Sequence, residues 1–79
     1  MAQLVDPLPH HDLVAVLGFG ASGRAATRLL KHFGKRVIVA DMHLQDPPDW
    51  AGVSFRRGSH DIGEATAVVL SPSFNPEWP

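Results

Sequence analysis

The chain has 79 residues, a formal net charge of −1 at pH 7 and no cysteine. A chain of this length supports one small domain with a modest core. We therefore expect residues 1–79 to form a single domain that binds a ligand and does not catalyse a reaction alone. The near-neutral charge argues against a nucleic-acid or membrane surface. The lack of cysteine excludes disulfides and thiolate metal sites.

No basic segment followed by an apolar segment opens the chain, and no apolar run approaches the roughly 18 residues of a membrane span. We therefore expect a cytoplasmic protein. The five histidines show no metal-ligand spacing supported by acids, so we expect no metal site.

The first regular pattern is the apolar run LVAVL at residues 13–17. A run without polar alternation is typical of a parallel strand covered on both faces. From Ala21 to Phe33 the apolar period becomes helical, and Gly34 supplies a residue that commonly ends a helix. We expect this helix to pack on the sheet through an apolar stripe made of Ala25, Ala26, Leu29, Leu30 and Phe33. A second buried strand follows at residues 37–40.

The rest of the chain is less regular. The adjacent Pro47 and Pro48 forbid a long helix after the second strand. Residues 53–55 are predicted as a short third strand, residues 61–65 as one helical turn, and the apolar residues 67–70 as a fourth strand. The expected fold is α/β, a Rossmann-like open sheet of parallel strands in the order 3-2-1-4 with flanking helices.

The segment GFGASG carries glycines at positions 18, 20 and 23, between the first strand and the helix. In such a turn the first glycine permits the tight bend, the second lets the backbone approach a phosphate, and the third lets the helix pack closely. Asp41 follows the second strand, where an acid accepts hydrogen bonds from ribose hydroxyls if a dinucleotide is bound. The pattern predicts a phosphate site and leaves open an NAD or FAD site of an oxidoreductase or regulatory protein. A module that binds no nucleotide is the third alternative.

Three segments together, VLGFGASGRAATRLL, GKRVIVAD and AVVLSPS, resemble the amino-terminal domain of the Mur ligases. The resemblance is strongest to the branch that joins D-glutamate to UDP-N-acetylmuramoyl-L-alanine in peptidoglycan precursor synthesis. It covers residues 14–74. It implies a domain that binds the UDP part of that substrate, while ATP and Mg²⁺ bind elsewhere in the full-length ligase.

Carried over by position, the resemblance implies UDP contacts from three segments: the glycine turn, the end of the second strand, and the loop after the fourth strand. Their residues are Gly20, Ala21, Ser22 and Gly23; Asp41, Met42 and His43; and Ser71, Pro72 and Ser73. The sequence departs from the family where a hydroxyl residue and an arginine often follow the aspartate, and where glycine usually follows Ser-Pro. No catalytic residue is expected in this chain.

The resemblance also implies that the chain is a fragment of a three-domain ligase, truncated before a fifth strand. We expect the fragment to be inactive alone. A fourth strand at the edge of the sheet presents unpaired backbone groups. We therefore expect self-association along that edge or partial exposure of Val68 to Leu70.

Overall fold

The computed structural model describes Asp6 and residues 8–44, 46–59 and 61–70. The elements in chain order are β1 (Leu13–Leu17), α1 (Ala21–His32), β2 (Arg36–Asp41), β3 (Val53–Arg57) and β4 (Ala67–Leu70). The four strands were all predicted, and β2 and β3 extend slightly beyond the predicted bounds. The predicted loop Ser71 to Ser73 lies outside the described residues.

The strands form one parallel sheet in the order β3-β2-β1-β4, as predicted. Val16 in β1 lies opposite Val39 in β2 and Val69 in β4. The chain therefore has a Rossmann-like α/β fold. All four carboxyl ends lie at one edge of the sheet, where open α/β sheets bind their ligands.

The core lies between α1 and one face of the sheet, and its buried residues are Val14, Val16, Phe19, Leu30, Val37, Val39 and Leu44. The predicted packing stripe of α1 is correct in part. Leu30 is buried and Ala26 and Phe33 are half-buried, but Ala25 and Leu29 are exposed, and the other buried helix residues are Gly23 and Thr27. Gly23 is buried and has no side chain, which allows the backbone of α1 to lie close to the sheet at this position.

The opposite face of the sheet has no helix against it in the described part of the chain. The predicted helical turn at residues 61–65 is wrong. The segment forms a hydrogen-bonded turn, from the Ala65 amide to the Ile62 carbonyl (3.1 Å), because Gly63 adopts a left-handed φ of 57°. This turn lies over Ile38 of β2, since a Cβ added to Gly63 would come within 3.1 Å of the Ile38 Cδ1 atom.

At the amino edge of the sheet, the side chain of Lys35 is only 4% exposed, and its ammonium group has a hydrogen-bond partner for each N–H. It donates to the carbonyl oxygens of Leu8 and His11, at 2.7 Å each, and lies 3.0 Å from the Asp6 carboxylate. Three acceptors match its three N–H groups. This lysine therefore fastens the segment before β1 to the loop after α1, far from the carboxyl edge.

No helix among the described residues is long and apolar enough to cross a membrane.

Candidate functional site

The glycine turn connects β1 to α1 at the carboxyl edge of the sheet. Gly18 has φ of 92°, which L side chains rarely adopt. Its amide donates to the Ala40 carbonyl at 2.9 Å. Gly20 is the N-cap residue of α1 in an extended conformation, and no side chain caps the helix. The turn is therefore held by backbone bonds, and its first glycine has the role that the sequence predicted.

Asp41 binds two backbone amides with its carboxylate. The Oδ2 atom accepts from the Phe19 amide and the Oδ1 atom from the His43 amide, both at 2.8 Å. Its carbonyl oxygen also accepts from the Gly58 amide at 2.9 Å. The residue thus joins the segments that follow β1, β2 and β3. Its observed role is to position the glycine turn, because both carboxylate oxygens already have a partner in the protein.

The first turn of α1 faces the same edge. The first α-helical bond runs from the Arg24 amide to the Gly20 carbonyl (2.9 Å), so the amides of Ala21, Ser22 and Gly23 precede it and have no acceptor within the helix. No acid lies in this turn. Ala21 and Ser22 are exposed. This end of the helix therefore offers amide donors, the Ser22 hydroxyl and the positive end of the helix dipole to an anion.

Gly23 differs from its neighbours because it is buried against the sheet. The hydroxyl of Thr27, which is fully buried, donates to the Gly23 carbonyl at 2.8 Å. This bond satisfies the one buried hydroxyl of the helix. Gly23 therefore supports the close approach of α1, while Ala21 and Ser22 present their groups outward.

Phe19 of the glycine turn packs in an aromatic cluster with Trp50 and Phe55. The Phe19 ring lies 5.5 Å from that of Trp50 and 5.2 Å from that of Phe55, both edge to face. The guanidinium of Arg24 lies 4.8 Å from the Phe19 ring centroid, and that of Arg28 lies 5.3 Å from the Trp50 centroid. Phe19 thereby holds Arg24 beside the first turn of α1, where its charge favours an anion.

Arg24 was not among the site residues predicted from the sequence. The sequence feature that could have indicated Arg24 is a cation in the first turn of the predicted helix, with no acid in the same turn. Ser59, which follows β3 at the same edge, was not predicted either. Its Oγ atom accepts a hydrogen bond from the Asp61 amide at 2.9 Å.

The remaining predicted site residues divide into two groups. Met42 is half-buried and His43 is exposed, and both follow Asp41 at the carboxyl edge. Ser71, Pro72 and Ser73 lie outside the described residues, so their approach to the turn stays a prediction.

One other feature of the described surface lies away from this edge. A shallow groove of about 310 Å³ lies on the face of the sheet opposite α1, lined in part by Ile38, Ser54 and Arg56. It does not include any residue of the glycine turn. In the part of the chain that the structure describes, no group of three or more His, Asp or Glu side chains is placed to hold a metal ion.

Comparison with known proteins adds an independent observation. The chain is 41% identical, over 77% of its length, to the UDP-N-acetylmuramoylalanine–D-glutamate ligase of Nitratidesulfovibrio vulgaris strain Miyazaki F. It is 40% identical, over 78% of its length, to the ligase of the same name from strain Hildenborough. An uncharacterized protein of Methanothermobacter thermautotrophicus is 40% identical over 84% of the chain. No family profile and no solved structure matches the chain.

The chain contains a Mur ligase-like region. The match spans only 16% of the length of each ligase and 26% of the Methanothermobacter protein. The similarity therefore bears on this region and not on the activity of a whole enzyme.

Proposed function

We propose that this chain is the UDP-binding region of a UDP-N-acetylmuramoyl-L-alanine:D-glutamate ligase. The observation that carries the proposal is the pairing of the Phe19 amide with the Asp41 carboxylate, which holds the glycine turn beside the amide donors of α1. The similarity to ligases with this substrate in their name supports the choice of ligand.

In this proposal the diphosphate lies against the first turn of α1. The amides of Ala21 and Ser22, the Ser22 hydroxyl and the Arg24 guanidinium are the donors. Backbone amides at a helix N-terminus suit phosphate oxygens, and the absence of an acid in this turn leaves its positive potential intact. Gly20 adds no side chain at the point where the phosphates approach.

The uridine would then extend along the carboxyl edge toward Asp41, Met42 and His43. Each Asp41 oxygen retains a second lone pair for a ligand hydroxyl or imide group. Ser71, Pro72 and Ser73 are proposed to close over the base. Asp41 is thus both the support of the turn and a secondary ligand contact.

The parent ligase would form an amide bond between the substrate carboxylate and D-glutamate, with ATP and Mg²⁺ bound outside this region. We assign no catalytic residue to this chain and expect it to be inactive alone. The setting of such a ligase would be the cytoplasm, where nucleotide-linked precursors are made.

The competing reading is an NAD or FAD site, in which Asp41 accepts both hydroxyls of the adenosine ribose. The similarity to ligases with a UDP-linked substrate in their name favours the uridine ligand over this reading, whereas the Asp41 contacts do not distinguish the two, because the second lone pair of each oxygen would serve either ligand.

The test is amide NMR of the full chain titrated with UDP-N-acetylmuramoyl-L-alanine, with UDP and with NAD. We expect shifts at Gly20 to Arg24 and at Asp41 with both uridine ligands. Ser22→Ala should weaken this binding, while Ser54→Ala, an exposed serine on β3, should not. Shifts with NAD alone would replace the proposal by a dinucleotide site, and no shifts with any ligand would reject a nucleotide site.

A further inference from the structure

We propose that Arg57 selects the base of the bound nucleotide, by donating a hydrogen bond to a uracil carbonyl while Asp41 accepts one from the uracil imide. This inference rests on the proposed UDP site and names the side chain that distinguishes uracil from cytosine there. Arg57 is the last residue of β3, and it lies opposite Asp41, the last residue of β2, in the parallel register of the sheet. The two residues therefore lie at the same carboxyl edge, one strand apart.

Arg57 and Asp41 also share the α1 face of the sheet. Side chains alternate between the two faces of a strand, so residues two apart point to the same side. Val39 belongs to the core on the α1 side, and Phe55 packs against it. Asp41 and Arg57, each two residues further along its strand, are therefore directed to that side. The glycine turn lies there too, since its Phe19 amide donates to the Asp41 carboxylate.

The guanidinium of Arg57 is available to a ligand. Arg57 is exposed, and the ion pairs among the described residues, Lys35 with Asp6 and Arg56 with Asp61, do not include it. The neighbouring Arg56 lines the groove on the opposite face of the sheet, and its guanidinium lies 3.6 Å from the Asp61 carboxylate. Arg57 thus brings to the carboxyl edge a set of donors that no described acid occupies.

The position of Arg57 along this edge assigns it to the base and not to the diphosphate. In the strand order β3-β2-β1-β4 the glycine turn follows β1, Asp41 ends β2 and Arg57 ends β3. Neighbouring strands lie about 4.8 Å apart. A diphosphate at the first turn of α1 therefore lies two strands from Arg57. A nucleoside that extends from this diphosphate past Asp41 brings its base to Arg57.

The two side chains match the hydrogen-bonding edge of uracil. Uracil presents an imide N–H beside a carbonyl oxygen, and a carboxylate accepts hydrogen bonds whereas a guanidinium only donates them. Each Asp41 oxygen retains a lone pair after its bond to the Phe19 or His43 amide. Cytosine has the reverse pattern, an unprotonated ring nitrogen beside an amino group. It would present an acceptor to Asp41 and a donor to Arg57, and a site built for one pattern rejects the other.

The experiment is isothermal titration calorimetry of the full chain with UDP and with CDP, which carry the same diphosphate on different bases. The unmodified chain should prefer UDP by roughly tenfold or more, because two hydrogen bonds each contribute several-fold in affinity. Arg57→Gln should weaken UDP binding by roughly three- to tenfold and leave CDP binding unchanged or stronger, because the glutamine amide offers either a donor or an acceptor.

The matched control is Arg56→Gln, which removes the same charge from the same strand on the opposite face and should bind both nucleotides as the unmodified chain does. Both arginines are exposed, so both variants should fold, as dispersed amide NMR signals will verify.

The outcomes separate this inference from the proposed function. Absence of UDP binding by the unmodified chain would reject the UDP site and the role of Arg57 with it. UDP binding without a preference over CDP would overturn the role of Arg57 alone. The same holds for equal weakening of both nucleotides in Arg57→Gln, which would indicate a phosphate contact, and for an equal loss of preference in Arg56→Gln.

Discussion

The backbone amide of Phe19 donates a hydrogen bond to the Oδ2 atom of Asp41 at 2.8 Å, joining the glycine turn after β1 to the end of β2. The other carboxylate oxygen accepts from the His43 amide, also at 2.8 Å. One acid therefore fixes the turn and the start of the following loop. Any ligand that binds the turn depends on this pair, even if it never contacts Asp41.

We expect Asp41→Asn to destabilise the protein by about 1–3 kcal/mol, because the amide group of asparagine replaces one acceptor by a donor that faces a backbone N–H. Urea denaturation followed by circular dichroism measures the change. Asp49→Asn is the control, since Asp49 is exposed in the proline-rich loop. Equal stability of the two variants would show that the Asp41 pairs contribute little.

We expect Arg24→Ala to weaken UDP binding by roughly two- to fivefold at low salt, and less at high salt, because an exposed charge near a phosphate contributes about 0.5–1 kcal/mol. Arg28→Ala is the matched control. Its guanidinium also stacks on an aromatic ring, that of Trp50, but it lies one turn further along α1. Isothermal titration calorimetry with UDP at two salt concentrations makes the comparison. Equal losses in both variants would contradict a specific role for Arg24.

The Asp6–Lys35 contact predicts a loss of stability in acid. Partial burial raises the pKa of Asp6, but the hydrogen bonds from the Leu8 amide and Lys35, together with the Lys35 charge, outweigh it and lower the pKa below 3.8. A carboxyl with a lowered pKa stabilises the fold above its unfolded-state pKa, and this contribution disappears as the pH falls through the folded-state value.

Urea midpoints measured between pH 7 and pH 2 should therefore fall less steeply in Asp6→Asn than in the unmodified chain. Asp12→Asn, an exposed acid near the same edge, should leave the slope unchanged. A slope that is the same in all three proteins would show that Asp6 does not contribute.

The sequence predicted the strands and their order because buried parallel strands are apolar throughout and glycines mark the turns. It predicted the glycine turn between β1 and α1 for the same reason, whereas the binding of a phosphate there stays a prediction. It did not predict the partners of Asp41, since an acid after a strand fits a ligand contact and a backbone contact equally well. It predicted the orientation of α1 only in part. Apolar periodicity indicated Leu29 and Leu30 together, whereas burial includes Leu30 with Gly23 and Thr27, whose small size allows close packing.

The orientation of α1 gives a direct test with two adjacent leucines. Leu30 is 2% exposed and belongs to the core cluster, whereas Leu29 is 38% exposed. Leu30→Ala should cost about 2–4 kcal/mol, because it removes buried methyl groups and leaves a cavity, and Leu29→Ala should cost about 1 kcal/mol or less. The two substitutions are chemically identical and have the same helix propensity, so urea denaturation reports only the difference in burial. A larger loss in Leu29→Ala would mean that Leu29, and not Leu30, lies on the packed face of α1.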